Sequence, residues 1–206
     1  MGVIDQLSNE EKKIWHTYLC RARKLTRRSI NTLDSPIELK PPETDNRLIC
    51  CSESMPATFY ESINSIIYSI FAAEFRINLA ARKEKIYNKT LTEFIDKDDR
   101  KKPFKRKNEK FNELSHYLKW RNFPFACGRE ETTEYVDSIK QLDHWIVKRN
   151  DIVHAEYSNL AGSNITPQDA LNCYESVVDS IFELNIVLSS DRQSEEKSKR
   201  EVGLLP

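Results

Sequence analysis

Glycine is scarce in this chain, at four of 206 residues. That scarcity argues against a β-rich fold or one built on glycine loops. Net charge is absent too: 32 basic residues balance 32 acidic ones. A globally basic nucleic-acid binder is thereby excluded, although a local basic patch is not. The five cysteines, at 20, 50, 51, 127 and 173, include no CxxC pair, and no Cys/His cluster has the spacing of zinc ligands. They read as free thiols of a reducing cytosol rather than as a disulfide framework. No stretch reaches the ~18 apolar residues of a membrane span. The opening MGVIDQLSNEEKK has no apolar signal core. The expectation is a cytoplasmic protein with no cofactor and no metal.

What the chain does have is long, charged, Leu/Ile-rich stretches with helical spacing, which predict an all-α fold. Hydrophobic residues make up 39% and charged ones 31%. Ser8 and Glu11 form a capping-box pattern ahead of a helix over about 9–32, with Ile14, Trp15, Tyr18, Leu19, Ala22 and Leu25 on its apolar stripe and a basic second half, RARKLTRR. Pro36, Pro41, Pro42 and Pro56 then mark an irregular connection. The 3–4 spacing of Phe59, Ile63, Ile66, Ile67, Ile70, Phe71 and Phe75 predicts a helix from Ala57 to about Tyr87, roughly 45 Å long.

Residues 88–110 suggest a short helix followed by the run DKDDRKKPFKRKNEK. Eight basic and three acidic residues lie between Lys97 and Lys110. A solvated loop is the ordinary reading of such a run. Nucleic-acid contact through Lys101, Lys102, Lys105, Arg106 and Lys107 is the sharper one. Phe111–Trp120 reads as a short helix and 122–129, with Pro124 and Gly128, as a loop. A second long helix is expected over 130–153, with Tyr135, Ile139, Leu142, Ile146 and Val153 on one face. Thr166, Pro167 and Asp169 fit the N-cap, N1 and N3 positions of a last helix reaching about Leu188. Its inward face would carry Ala170, Tyr174, Val177, Ile181, Leu184 and Leu188. Three divisions follow: 1–56 as a helix and proline-rich connection, 57–189 as the main helical domain, and 190–206 as a disordered tail.

The chemistry concentrates in Arg149-Asn150-Asp151-Ile152-Val153-His154. Arg149 and His154 lie about 140° apart on a straight helix, so they do not share a face, whereas Asn150 and His154, four apart, do. Arg149 falls instead on the apolar seam with Leu142 and Ile146, where a cation is costly unless something meets it. That geometry suits a site at an interface. An imidazole exchanges protons near neutrality. A guanidinium offers a fixed fork for phosphate and for a developing phosphorane. An amide orients the imidazole or binds phosphate. Together they suffice for metal-free RNA cleavage through a 2′,3′-cyclic phosphate. The bare R-x4-H spacing is an ordinary coincidence in an Arg-rich chain, and Asn directly after the Arg makes it about ten times rarer. The plain structural role for the pair is a helix-end Arg and a C-capping His.

The strings LDHWIVKRNDIVHAEY and ITPQDALNCYESVVDSIF resemble the last two helices of HEPN domains, whose R-x4–6-H motif often carries a polar residue after the Arg. SIFAAEFRINLAAR resembles their long first helix. The resemblance covers about 57–189 and implies an antiparallel helical bundle, here with an N-terminal helical extension. It implies RNA as substrate, a homodimer with facing motifs, a toxin or phage-defence setting, and an antitoxin or other regulatory protein as partner. Arg149, Asn150 and His154 would be catalytic, with Tyr157 in support. Glu74, on the first helix, would position Arg149, since similar proteins hold an acidic residue near the motif Arg. One subgroup has Tyr two residues after the His, where this chain has Glu156. The alternative is a non-catalytic HEPN module that binds RNA or a protein partner.

Overall fold

The computed structural model describes residues 3–31, 57–104, 109–154 and 165–188. Among the described residues, five α-helices carry the architecture: α1 (Val3–Asn31), α2 (Ala57–Lys83), α3 (His116–Cys127), α4 (Thr133–His154) and α5 (Pro167–Leu188). The all-α expectation is met. Side-chain contacts give their directions. Arg76 of α2 lies over Trp15 of α1, while Ser65 of α2 donates to the Ala22 carbonyl at 3.0 Å, so α1 runs against α2. Arg76 also donates to Asn185, and Ser69 meets Cys173, so α2 and α5 run together. Ser180 donates to the Ser138 carbonyl and Lys148 pairs with Asp169, so α4 runs against α5. The core lies among these four helices and α3, with Trp15, Ile70, Ile77, Trp120, Tyr135, Leu142, Trp145 and Ile181 all buried. The three tryptophans are thus core residues.

The helices start and stop for local reasons. At α5, Asp169 N–H donates to Thr166 Oγ1 at 3.1 Å, and the Asp169 carboxylate accepts from Thr166 N–H at 2.9 Å. This reciprocal box joins the N-cap and N3 positions read from the sequence. Gly128, with φ of 68°, ends α3 in the left-handed region that favours glycine.

Several expectations are corrected. Ser8 and Glu11 do not open α1 but lie within it, since it begins at Val3, and Ile14 of the expected stripe is 39% exposed. The described residues of 88–110 hold no helix; among them are two small antiparallel ladders. β1 (Thr90–Leu91) pairs with β4 (Glu109–Lys110), and β2 (Glu93–Ile95) pairs with β3 (Lys101–Pro103). The β2–β3 turn is made by Asp96, whose Oδ1 accepts the N–H groups of Asp98 and Arg100, and by Asp99 at φ of 57°. Asn122, fully buried, holds β2 by accepting from Ile95 N–H at 2.5 Å and donating to its carbonyl at 3.0 Å. The loop expected over 122–129 is mostly helix as well, since α3 continues through Pro124 to Cys127. Proline has no N–H, so it leaves the Trp120 carbonyl without its helical partner. The Tyr135 hydroxyl donates to that carbonyl at 2.6 Å. A smaller correction concerns α4, where Ile152 is buried and Val153 is 49% exposed.

Candidate functional site

The last turns of α4 carry Arg149, Asn150 and His154. Asn150 and His154 are exposed, and Arg149 is half-buried. Arg149 Nη1 donates to Asn150 Oδ1 at 2.9 Å, which joins the first two motif residues side chain to side chain. The Arg149 guanidinium lies over the Phe71 ring of α2 at 4.9 Å from its centroid. Its Nε is buried without a hydrogen-bond partner among the described residues. The cation read onto the apolar seam is therefore there, and an aromatic face meets it.

Glu74 was the expected counter-charge. It is half-buried on α2, and among the described residues no ion pair or hydrogen bond joins it to Arg149. Phe71, three residues earlier, takes that position instead. The sequence pattern offered Phe71 only as one more apolar stripe residue. The signal that could have singled it out was the Arg itself, because a seam cation needs a facing group from the helix packed on that seam.

His116, the first residue of α3, is a second residue the sequence left aside. It is half-buried, and its Nε2 accepts from Trp120 Nε1 at 3.1 Å. Burial, and then the charges of Lys119 and Arg149, push its imidazole down to about 3. It is a neutral acceptor at neutral pH, close enough to Arg149 to feel its charge.

The motif is held against α5 by the residue before it. Lys148 pairs with Asp169 at 2.9 Å and lies over the Trp145 ring at 5.1 Å. Asp169 is also the residue that closes the α5 capping box. Burial works against its ionisation. The hydrogen bonds from Lys148 and Thr166 nevertheless hold the carboxyl below its ordinary value. The end of α4 and the start of α5 thus share one carboxylate.

Two lysines of the basic hairpin are paired within the fold, while its acidic Asp99 is taken up by cations from α3 and α4. Lys97 pairs with Asp143 of α4, Lys102 with Asp96, and Lys140 of α4 with Asp99. Arg121, 2% exposed, pairs with Asp99 at 2.9 Å and with Glu131. Lys101 and Lys102 are exposed, and the Lys101 ammonium also lies 5.0 Å from the Phe125 ring centroid. Lys105, Arg106, Lys107 and Tyr157 lie outside the described residues. So does the connection over 32–56, with Cys50 and Cys51; Cys20, Cys127 and Cys173 are free thiols. Among the described residues no group of three or more His, Cys, Asp or Glu is placed to hold a metal ion. No described helix is long and apolar enough to cross a membrane.

No curated protein and no solved structure matches the chain. A family model does: residues 47–190 match RiboL-PSP-HEPN, a span that takes in α2 to α5 and leaves α1 outside. With helices of this order, and R-N-x3-H closing α4, the chain belongs to the RiboL-PSP-HEPN family.

Proposed function

We propose that the chain is a metal-independent endoribonuclease. The observation that carries this reading is the Arg149–Asn150 hydrogen bond on the exposed end of α4, one turn before an exposed His154, in a HEPN-family chain. His154 accepts the proton of a ribose 2′-OH as that oxygen bonds to the neighbouring phosphorus. Arg149, oriented by Asn150, balances the charge that develops on the phosphorane oxygens. The bond from phosphorus to the 5′ oxygen breaks, and that oxygen takes a proton. The products are a 2′,3′-cyclic phosphate and a 5′-hydroxyl.

The chain acts as a homodimer in this reading, with the second copy's motif facing the first. Val147 and Val153, 48% and 49% exposed, stand on either side of Asn150 in sequence and supply an apolar seam for the contact. The His154 of one chain then takes the proton while its counterpart supplies one to the leaving oxygen. The RNA is tRNA or mRNA in a toxin or defence setting. Exposed Lys101 and Lys102 contribute to its phosphate contacts.

The test is cleavage of RNA by purified protein, with end-group analysis. Cyclic phosphate ends that disappear in His154→Ala, with the fold intact by circular dichroism, support the reading. Full cleavage by His154→Ala overturns it. RNA binding without cleavage by the parent protein would make the chain a non-catalytic HEPN module.

A further inference from the structure

Next to the motif, α1 and α2 leave a row of rings incompletely covered. Tyr18 of α1 stacks on Tyr68 at 5.7 Å and 25°, and on Phe75 at 5.5 Å and 15°. It also meets Phe71, the ring under Arg149, at 5.7 Å and 56°. The core of this helix pair lies elsewhere, in Trp15, Leu19, Ala22, Ile66, Ile70, Ala73 and Ile77, all buried. The rings are not part of that core: Tyr18, Tyr68 and Phe71 are half-buried and Phe75 is 37% exposed.

Cations stand on the row. Arg21 lies over Tyr68 at 5.6 Å, and Arg149 lies over Phe71. A guanidinium over a ring retains N–H groups for an oxygen ligand, here those at the Nη end of Arg149 because its Nε is buried, so Arg149 can hold a ring and a phosphate together. Beyond Arg21, the stretch 22–28 carries four more basic residues and no acidic one. Glu74, beside Phe75 in sequence, is half-buried. Ring faces flanked by cations are the recognition chemistry of single-stranded nucleic acid: bases stack, and phosphates meet the guanidinium groups.

We propose that the Tyr68–Tyr18–Phe75 row, flanked by Arg21 and Arg149, is a stacking subsite for unpaired bases next to the scissile phosphate. The substrate class is single-stranded RNA, and α1, which lies outside the family match, contributes Tyr18, the ring that holds Tyr68 and Phe75 in the row. The inference rests on the reading of Arg149, Asn150 and His154 as an RNA-cleaving site. It gives α1 a role in choosing among RNA substrates by whether their bases are unpaired.

The test uses the full chain carrying His154→Ala and two probes of equal length. One is a single-stranded RNA with 2-aminopurine beside the cleavable linkage, whose fluorescence falls on stacking. The other is an abasic ribose-phosphate oligomer. Phe75→Leu and Tyr68→Leu retain apolar volume and remove the aromatic face. Each is expected to weaken RNA binding about fivefold, the lower end of base–aromatic stacking, to reverse the quenching, and to leave abasic binding unchanged. Equal effects on both probes, or none on either, overturn the subsite. A changed oligomeric state at unchanged RNA affinity makes the row a protein face and also overturns it. Because Phe75 is exposed, Phe75→Leu keeps the test valid should Tyr68→Leu unfold. Cleavage by the chain with native His154 is scored separately, so loss of the catalytic reading and loss of the subsite are distinguishable.

Discussion

The Tyr135 hydroxyl donates to the Trp120 carbonyl at 2.6 Å, in the place where Pro124 withholds the helical N–H. Both Trp120 and Tyr135 are fully buried. Tyr135→Phe leaves that carbonyl without a partner in a dry interior, and the expected loss is about 1–3 kcal/mol of unfolding free energy in urea titration. Pro124→Ala restores the backbone donor. The double variant is therefore expected to lose less than the sum of the single changes, by about 0.5 kcal/mol or more. Strict additivity would mean that the hydroxyl does not compensate for the proline.

That bond also shows where sequence reading stops. Pro124 and Gly128 read as a loop because the residue that repairs the helix lies eleven positions past the proline, on α4. The hairpins over 90–110 were hidden for a similar reason. Their strands are two or three residues long, too short to show alternation, and β2 is held by Asn122 from another element. The long helices and the α5 cap were legible because periodicity and capping are local. At the site, helical rotation alone placed Arg149 on the apolar seam. Whether Phe71 or Glu74 meets it depends on how α2 crosses α4, and spacing along one chain segment does not encode that.

Lys148 and Asp169 join the motif helix to the capping box of α5 at 2.9 Å. Thr166→Ala removes the N-cap oxygen and is expected to cost about 0.5–2 kcal/mol. Asp169 titrates below its ordinary value in the folded chain. Its contribution is therefore present above the unfolded-state value of 3.8 and is lost as pH falls through the lower folded value. Asp169→Asn should flatten the stability profile in that acid range. An unchanged profile in chemical denaturation across pH would count against the shared carboxylate.

His116 gives a second pH signature. Its folded value is about 3 against 6.5 for an unperturbed imidazole, so the unfolded chain binds the extra proton between those limits. Stability contributed by the neutral ring is complete above pH 6.5 and falls as pH drops toward 3. His116→Gln keeps an acceptor for Trp120 and does not titrate. Its stability is expected to fall less steeply than the parent's across the same window, measured by urea midpoints. Identical slopes would show that His116 is not held neutral by the fold.

Val153 is 49% exposed beside His154, and an exposed apolar side chain changed to a charge costs a monomer little, within about 0.5 kcal/mol. In a homodimer with facing motifs the same charge would be buried at the contact. Val153→Asp is expected to shift the chain from dimer to monomer in light scattering and to reduce RNA cleavage in parallel. A dimer that survives the substitution with full activity would place the contact on another face.

A substitution at Arg149 tests most sharply whether the residue serves the proposed cleavage or the fold. Its guanidinium gains from the Phe71 face, a contact worth about 0.5–1 kcal/mol where exposed. Against that stands a buried Nε without a partner among the described residues, which costs about 1–3 kcal/mol. Arg149→Met keeps the length, offers a thioether to the ring and removes the stranded nitrogen. The melting temperature is therefore expected to stay level or rise. Cleavage is expected to fall by about 10²–10³, the usual cost of losing a group that stabilises the developing charge. A variant that melts early and loses activity in proportion would make Arg149 a structural residue. A variant that stays folded and inactive requires the arginine at the phosphate, since no loss of packing would account for the lost rate.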